Sequence, residues 1–389
     1  MNKELVKILS ILTIIVIVLS SFAYVYTEER KTFLQGEAHY SLTYHYDVQN
    51  TGPLNLTSLT IRLAKLKSWD PVQTVNQIQI SPEPNRTTTD EYQNQFIYYE
   101  FDTFLVGQTL NITINVDIDV HLLDFTSLDL SGKAYDNQSD DYLLYSSYDA
   151  LTDPTDPKIM QVAKNLGGGS NDPIANEFAV YNFTSTYLNY RLLSTSRGAS
   201  FALSQGYGDC DEYQNLFISL SQARGIPAIG HSAWLLNFVP GQKPDGQVFT
   251  DQGAVAHAFP MFLAPEVGFL PVDPTRGANS LYDNWLKTDY KTITLTRGPN
   301  HPYRLLNYKW KPDAILGSPT VSNIYSIKIN SLNVEYFSHI RQIILGTLIA
   351  MPTLFATYNI IAGIKSKELK EKKLDQLLSP TYQDNERDF

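Results

Sequence analysis

A single cysteine, Cys210, is the residue of this chain best suited to nucleophilic chemistry. Asp209 is a helix-capping residue type, and the apolar positions between Tyr213 and Leu220 recur at helical spacing, which predicts a helix that begins at Cys210. Unpaired N–H groups and the positive dipole end at a first turn favour the thiolate, the reactive form of cysteine. The neighbouring carboxylates act against it, so an opposing imidazolium is needed.

His257 and Asp273 are the residues that could activate such a thiol. His257 opens the strand predicted at 256–263, and Asp273 closes the strand predicted at 269–272. If these strands are neighbours, the two side chains can pair as a base and its orienting carboxylate. By residue type alone, His257 is equally compatible with a buried core histidine such as His231, and Asp273 with a turn cap before Pro274.

Composition excludes several classes of site. One cysteine permits no intramolecular disulfide and no cysteine-based zinc or iron–sulfur cluster. No regularly spaced carboxylate run with a central glycine predicts a calcium loop, so neither a metal nor a cofactor is expected. With 30 Lys and Arg against 40 Asp and Glu, and no basic block in the body of the chain, a nucleic-acid partner is not expected.

The elements around these residues predict an α+β domain preceded by an all-β one. Asp156-Pro157 and Asp172-Pro173 are helix-start signals, each followed by an apolar stripe. Clean alternation over 38–48 and 110–122 predicts half-buried strands. We therefore expect an antiparallel, immunoglobulin-like sandwich, which could be a binding module or a structural support.

Two uncharged apolar segments, 8–26 and 343–364, predict contacts with a lipid bilayer. The second is followed at once by a lysine cluster and is predicted to span the membrane. The first is either an uncleaved anchor or a signal peptide with a cleavage site at Ser21-Phe22-Ala23. Residues 27–342 would then lie outside the cell, attached to the cell membrane, with both termini cytoplasmic if the first segment is kept.

The predicted domain organisation follows from these segments. It comprises an N-terminal anchor or signal peptide (1–30), the sandwich (31–135), a catalytic domain (136–315), a juxtamembrane segment (316–342), a transmembrane helix (343–364) and a cytoplasmic Lys-rich tail (365–389). Five glycosylation sequons fall in the exported part: Asn55, Asn85, Asn111, Asn137 and Asn182. The absence of a disulfide from an exported domain of this size is more typical of a prokaryotic or archaeal cell surface.

Three sequence blocks resemble the transglutaminase-like superfamily. They are Gly206-Tyr-Gly-Asp-Cys210 leading into the segment 216–228, then Ala256-His257-Ala258-Phe259, and then Gly268-Phe-Leu-Pro-Val-Asp273-Pro-Thr275. The resemblance implies a papain-like core in which Cys210 is the nucleophile, His257 the base and Asp273 the residue that orients His257. It further suggests a membrane-anchored prokaryotic member of the superfamily. The chain departs from the usual pattern at Phe259, Met261 and Ile229, which lie beside the triad.

The chemistry expected from this resemblance is acyl transfer through a thioester. The backbone N–H of Cys210, with the side chain of Gln205 or Tyr207, would stabilise the oxyanion. Water as acceptor makes a peptidase or amidase acting on extracellular proteins or peptides, and a lysine amine makes a crosslinking transglutaminase. A catalytically inactive binding scaffold and a purely structural envelope protein are the alternatives from other classes. No pattern predicts the oligomeric state.

Overall fold

The computed structural model describes residues 33–166, 172–238, 244–250, 256–298, 306–311 and 321–337, and in the C-terminal part 355, 358–359 and 362–375. The chain separates into two units, Phe33–Tyr336 and the combination of Met1–Thr32 with Phe337–Phe389. In the latter unit, residues 362–375 are helical.

Fifteen strands and six helices make up the described part of Phe33–Tyr336. The strands are β1 (Leu34–Asn50), β2 (Leu56–Lys65), β3 (Gln73–Ser81), β4 (Arg86–Thr89), β5 (Gln95–Phe104), β6 (Thr109–Leu123), β7 (Asn189–Tyr190), β8 (Tyr207–Gly208), β9 (Ala228–Leu235), β10 (Val248–Thr250), β11 (Ala256–Ala264), β12 (Gly268–Pro271), β13 (Thr292–Arg297), β14 (Leu306–Lys311) and β15 (Val321–Tyr336). The helices are α1 (Asp140–Tyr145), α2 (Pro157–Asn165), α3 (Pro173–Tyr187), α4 (Ala199–Gln205), α5 (Cys210–Ala223) and α6 (Pro274–Gly277).

Two antiparallel sheets form the sandwich. One has the strand order β10-β15-β1-β6-β3 and the other the order β14-β2-β5-β4. The predicted alternation in β1 and β6 is observed, because side chains such as Leu42 and Ile114 are fully buried while the residues between them face outward. Strands β1, β6 and β15 share one hydrophobic core with β2 and β5.

The sandwich takes strands from the later part of the chain as well. Strand β15 pairs antiparallel with β1 from Gly36↔Tyr336 to Asn50↔Val321, and β14 pairs with β2. Ile327 and Ile329 of β15 are completely buried in the sandwich core. The segment 316–342, expected to be juxtamembrane, therefore contributes a strand to this sheet.

A third, four-stranded antiparallel sheet has the strand order β12-β11-β9-β13. The helices of this part of the chain pack against it and against one another. The predicted helix starts at Asp156 and Asp172 are confirmed, since each side chain caps the helix that follows it. Helix α5 packs on this sheet through Tyr213, Phe217 and other apolar side chains of its buried face. Helix α5 and strands β9, β11 and β12 are the elements that position the predicted site.

The two sheet systems meet in a shared core. Trp234 of β9 is buried among sandwich residues, and its ring packs edge-to-face on Tyr44 with the ring centroids 4.9 Å apart. Ile293 and Leu295 of β13 join the same core. The β12-β11-β9-β13 sheet and the sandwich are thus parts of one compact unit.

The predicted transmembrane helices require a correction. Among the residues that the structure describes, none of the helices is long and apolar enough to cross a bilayer. Segment 8–26 and most of segment 343–364 lie outside the described residues. The fold-class prediction is therefore wrong in its two membrane-spanning helices, which are not supported, whereas its α+β part is retained.

Candidate active site

Cys210 is the first residue of α5, and a capping box fixes the start of this helix. The Asp209 side chain accepts a hydrogen bond from the Asp211 N–H, and the Glu212 side chain accepts one from the Asp209 N–H at 3.2 Å. Asp209 Oδ2 also accepts the Leu193 N–H at 2.9 Å. Two of the three acidic side chains around Cys210 are therefore occupied by backbone donors.

Glu212 connects the helix start to the loop before α4. It is fully buried, and its Oε1 accepts the Arg197 N–H at 2.6 Å. A Cβ atom at Gly208 would lie 2.2 Å from the Cβ of Glu212, so only glycine leaves room for this side chain. The position of Cys210 thus depends on contacts well outside its own helix.

The Cys210 thiol lies in an environment that disfavours the thiolate. Burial raises its pKa well above the ordinary value, and the carboxylates of Asp211 and Asp209 raise it further. Asp211 Oδ1 lies 3.9 Å from Sγ. The backbone N–H of Ala258, next to His257 on β11, lowers the pKa of the thiol by hydrogen bonding to it. The nucleophile predicted from the sequence therefore lies against the start of the strand that carries the predicted base.

His257 and Asp273 form a direct, buried pair. Strands β11 and β12 are antiparallel neighbours with Met261 opposite Pro271, which confirms the expected strand adjacency. The distance from His257 Nε2 to Asp273 Oδ2 is 2.8 Å. Burial raises the pKa of Asp273, but the charge and hydrogen bond of His257, with Arg276, lower it by more, so the net pKa lies below the ordinary value. The carboxylate of Asp273 is thus stabilised in its ionised form, and its contact is with Nε2 of His257 and not with Nδ1.

Aromatic stacking fixes the plane of the His257 ring. Phe259 stacks on His257 with the ring centroids 6.2 Å apart and on His231 with the centroids 5.3 Å apart. His231 is completely enclosed, and burial lowers its pKa to about 3, so it is a neutral core residue. The geometry therefore distinguishes two histidines that residue type alone does not.

The predicted oxyanion side chains lie at the end of α4 and just beyond it. Gln205 is exposed at the C-terminus of α4, and the half-buried Tyr207 belongs to β8. The Tyr207 ring packs edge-to-face on Phe201, and the Arg191 guanidinium lies 4.8 Å from its centroid. These packing contacts orient the Tyr207 ring, and its role as an oxyanion donor stays a prediction.

Tyr190 lies beside Cys210, although no sequence pattern predicts it to be near the site. Burial raises the pKa of the Tyr190 phenol, and the charges of Cys210, Asp209 and Asp211 raise it further. The phenol is therefore close enough to these three residues to interact with them electrostatically. The residue as a whole is 60% exposed. Its position in the two-residue strand β7 gives no periodic signal from which the sequence could predict this proximity.

The ligand atoms of Asp209, Cys210 and Asp211 lie within 4.8 Å of one another, close enough to hold a cation. Both oxygens of Asp209 already accept backbone N–H groups. The arrangement is therefore explained by the start of a helix, since a capping carboxylate needs no metal to be satisfied.

The five predicted glycosylation sites are all on the surface. Asn55, Asn85, Asn111, Asn137 and Asn182 are exposed. Asn55 and Asn85 each accept a backbone N–H through Oδ1, from Val106 and Glu100 respectively. Exposure is what attachment of a glycan requires, and the modification itself stays a prediction.

A family comparison identifies the segment that contains these residues. Residues 160–274 match the model of the transglutaminase-like superfamily. Residues 160–274 are a transglutaminase-like domain. This domain runs from α2 to the start of α6 and includes Cys210, His257 and Asp273.

Two solved structures match this chain over more than residues 160–274. A candidate cysteine protease from Cytophaga hutchinsonii is 12% identical, with 78% of this chain and 91% of that chain covered at a TM-score of 0.51. The periplasmic domain of TgpA from Pseudomonas aeruginosa, solved with ethylmercury bound, is 15% identical, with 66% of this chain and 95% of that chain covered at a TM-score of 0.32. A search of curated protein sequences finds no match. The Cytophaga structure shows a shared fold.

Proposed function

We propose that the transglutaminase-like domain is a cysteine peptidase or amidase that cleaves peptide or glutamine amide bonds through a thioester. Cys210 is the nucleophile, His257 the general base and acid, and Asp273 the orienting carboxylate. The observation that carries the proposal is the buried 2.8 Å contact between His257 Nε2 and Asp273 Oδ2. It lies next to Ala258, whose N–H reaches the Cys210 thiol.

The reaction follows from the roles of these groups. His257 takes the thiol proton, and the thiolate attacks the carbonyl carbon while the backbone N–H of Cys210, at the start of α5, donates to the developing oxyanion. The His257 imidazolium then protonates the leaving amine as the C–N bond breaks. Water, deprotonated by the neutral His257, attacks the thioester and releases the acid and the thiol. Ionised Asp273 stabilises the imidazolium that forms in the first step.

Amine transfer is the second candidate, and one contact favours it. The carboxyl group of Asp211 lies 3.9 Å from Sγ and would attract the cationic form of a primary amine acceptor. In that case neutral His257 takes a proton from the ammonium group, and the amine attacks the thioester carbon. A second proton passes from the nitrogen to the departing sulfur as the C–S bond breaks, which releases the thiol and leaves an isopeptide bond in place of the free acid.

Alkylation of the thiol by iodoacetamide tests the proposal on the full-length chain, in which a single cysteine reports. Burial and the neighbouring carboxylates raise the pKa of the Cys210 thiol, and an imidazolium at His257 must outweigh them for the proposal to hold. We therefore expect Cys210 to react below the pH range of a free thiol, whose pKa is about 8.5. His257→Ala should lower the rate at pH 6 by about 100-fold. His45→Ala, at an exposed sandwich position, should leave the rate unchanged. Identical profiles for wild type and His257→Ala would reject the acyl-transfer function and favour a binding scaffold.

Product analysis separates hydrolysis from amine transfer. Casein incubated with the enzyme and a fluorescent primary amine should yield new peptide termini or glutamine deamidation rather than labelled casein. Cys210→Ala should abolish both kinds of product. Stoichiometric labelling of casein would instead make the protein a crosslinking transglutaminase.

A location outside the cell belongs to this proposal, and the exposure of all five sequons supports it. Mass spectrometry of the native protein should detect N-glycans at one or more of these asparagines. Protease treatment of intact cells should cleave the domain, whereas a protected domain would contradict the location.

A further inference from the structure

We infer that Arg276 is a positioning residue for the reaction, because it holds the carboxylate of Asp273 ionised and aligned on His257. Arg276 lies in α6, two residues beyond Pro274, within the turn that Asp273 caps. The inference rests on the proposed function, since it concerns how the Cys210–His257–Asp273 group is tuned.

Arg276 contacts Asp273 through both its backbone and its side chain. The Arg276 N–H donates to Asp273 Oδ1 at 3.1 Å. The guanidinium Nε lies 4.0 Å from Asp273 Oδ2, the same oxygen that contacts His257. One oxygen is therefore held by the helix start, while the other lies between the imidazole and a permanent positive charge.

Asp289 fixes the guanidinium from the opposite side. Arg276 Nη1 lies 2.6 Å from Asp289 Oδ2. Asp289 Oδ1 is itself held by three donors at 2.9 to 3.0 Å, the N–H groups of Lys291 and Thr292 and the Thr292 hydroxyl. His257, Asp273, Arg276 and Asp289 thus form a row of charges in which each carboxylate lies beside a cation or a potential cation.

The charge row matters because Asp273 is buried. Burial raises the pKa of Asp273, and His257 and Arg276 oppose this effect. His257 carries a positive charge in only part of the catalytic cycle, whereas a guanidinium stays charged throughout. Arg276 therefore keeps Asp273 ionised while His257 is neutral, which is the state that deprotonates the attacking water.

Other ionisable groups also face this row of charges. Tyr181 of α3 faces both Asp273 and Arg276, and Cys210 of α5 faces Asp273. Asp283 and Lys287 line a cavity of about 40 Å³ next to Asp273. Lys287 pairs with Asp124 at 3.6 Å, so it neutralises a carboxylate other than Asp273. It is therefore a matched control, being a cation of the same cavity.

The pH profile of Cys210 alkylation in the full-length chain tests the inference. Arg276→Met should shift the acid limb upward by about one pH unit, which lowers the rate at pH 6 about tenfold. Arg276→Lys, which keeps the charge, should recover most of the rate, and Lys287→Met should match the wild type. Circular dichroism checks that each variant folds. If Arg276→Met does not fold, Arg276→Gln takes its place, since it is neutral but keeps hydrogen-bond donors toward Asp289.

The outcomes distinguish this inference from the proposed function. A wild-type profile that is independent of His257 would overturn both. A His257-dependent wild-type profile on which Arg276→Met or Arg276→Gln superimposes would overturn the role of Arg276 alone. A full shift in Arg276→Lys would also contradict it, because the positive charge is retained there.

Discussion

The side-chain amide of Gln73 pairs with the backbone of Thr294 in the way that a neighbouring strand would. The Thr294 N–H donates to Gln73 Oε1 at 2.8 Å, and Gln73 Nε2 donates to the Thr294 carbonyl at 2.8 Å. Asn94 does the same at Arg297, with distances of 2.8 and 2.7 Å. Two sandwich side chains thereby provide hydrogen-bond partners for the outer edge of β13, the edge strand of the β12-β11-β9-β13 sheet.

Replacement of Gln73 should therefore destabilise the whole unit. Gln73→Leu leaves the buried N–H and carbonyl of Thr294 without these partners, at a cost of about 1–3 kcal/mol for each group. We expect the free energy of unfolding in urea to fall by about 3 kcal/mol. Gln79→Leu, at an exposed position of the same strand, should change it by less than about 0.5 kcal/mol. Equal effects would mean that the amide pairing contributes nothing.

The stability of the sandwich should depend on β15. Ile327→Ala removes a fully buried side chain and should lower the free energy of unfolding by about 2–5 kcal/mol. Lys328→Ala, at the adjacent exposed position, should have little effect. Chemical denaturation followed by tryptophan fluorescence measures both. An Ile327→Ala protein as stable as Lys328→Ala would place β15 outside the core.

Asp211 should restrain the reactivity of Cys210 above neutral pH. Burial raises the pKa of Asp211 to about 7, with Asp209 and Glu212 adding to the effect. Its carboxylate therefore forms mainly above pH 7 and then opposes a thiolate 3.9 Å away. The Asp211→Asn variant should react with iodoacetamide several-fold faster than the wild type at pH 8 and no faster at pH 5.5. The expected gain in rate is about tenfold for each unit by which the thiol pKa falls. Asp102→Asn, exposed on β5, is the control, and a uniform change at both pH values would contradict the charge effect.

Glu177 should make the protein less stable as the pH rises. It is fully buried in α3, and burial raises its pKa to about 8, although Ser221 and Arg224 lower it. Since the folded pKa lies above the unfolded one, its contribution is complete below about pH 4.5 and is lost as the pH rises through about 8. The loss is on the order of 5 kcal/mol.

Glu177→Gln should remove this pH dependence, because an amide remains neutral at every pH. We expect the difference in the free energy of unfolding between wild type and Glu177→Gln to change by a few kcal/mol from pH 5 to pH 8. Urea denaturation at the two pH values measures it, with Glu83→Gln as the exposed control. A constant difference would mean that Glu177 is ionised in the folded protein.

Cys210, His257 and Asp273 could be proposed as a site from the sequence because each lies in a local signal. Asp209 is a capping residue before an amphipathic stripe, His257 begins a strand, and Asp273 precedes a proline. Strand β15 has a signal as well, since Ile327 and Ile329 alternate, but the bulge in the β1–β15 pairing shifts the register near them. The alternation is therefore too short to predict a sandwich strand so close to the apolar segment 343–364.

Tertiary contacts decided the remaining features. Arg276 and Asp289 are thirteen positions apart, and neither has a pattern that predicts their ion pair. Whether His257 or His231 meets a carboxylate also depends on which strands are neighbours. The sequence by itself determined the helix that presents Cys210, the main strands and the resemblance to a superfamily, because these depend on local periodicity and capping. The structure alone decided the charge row behind His257, the edge contacts of β13 and the return of β15 to the sandwich, because these depend on contacts between residues far apart in the chain.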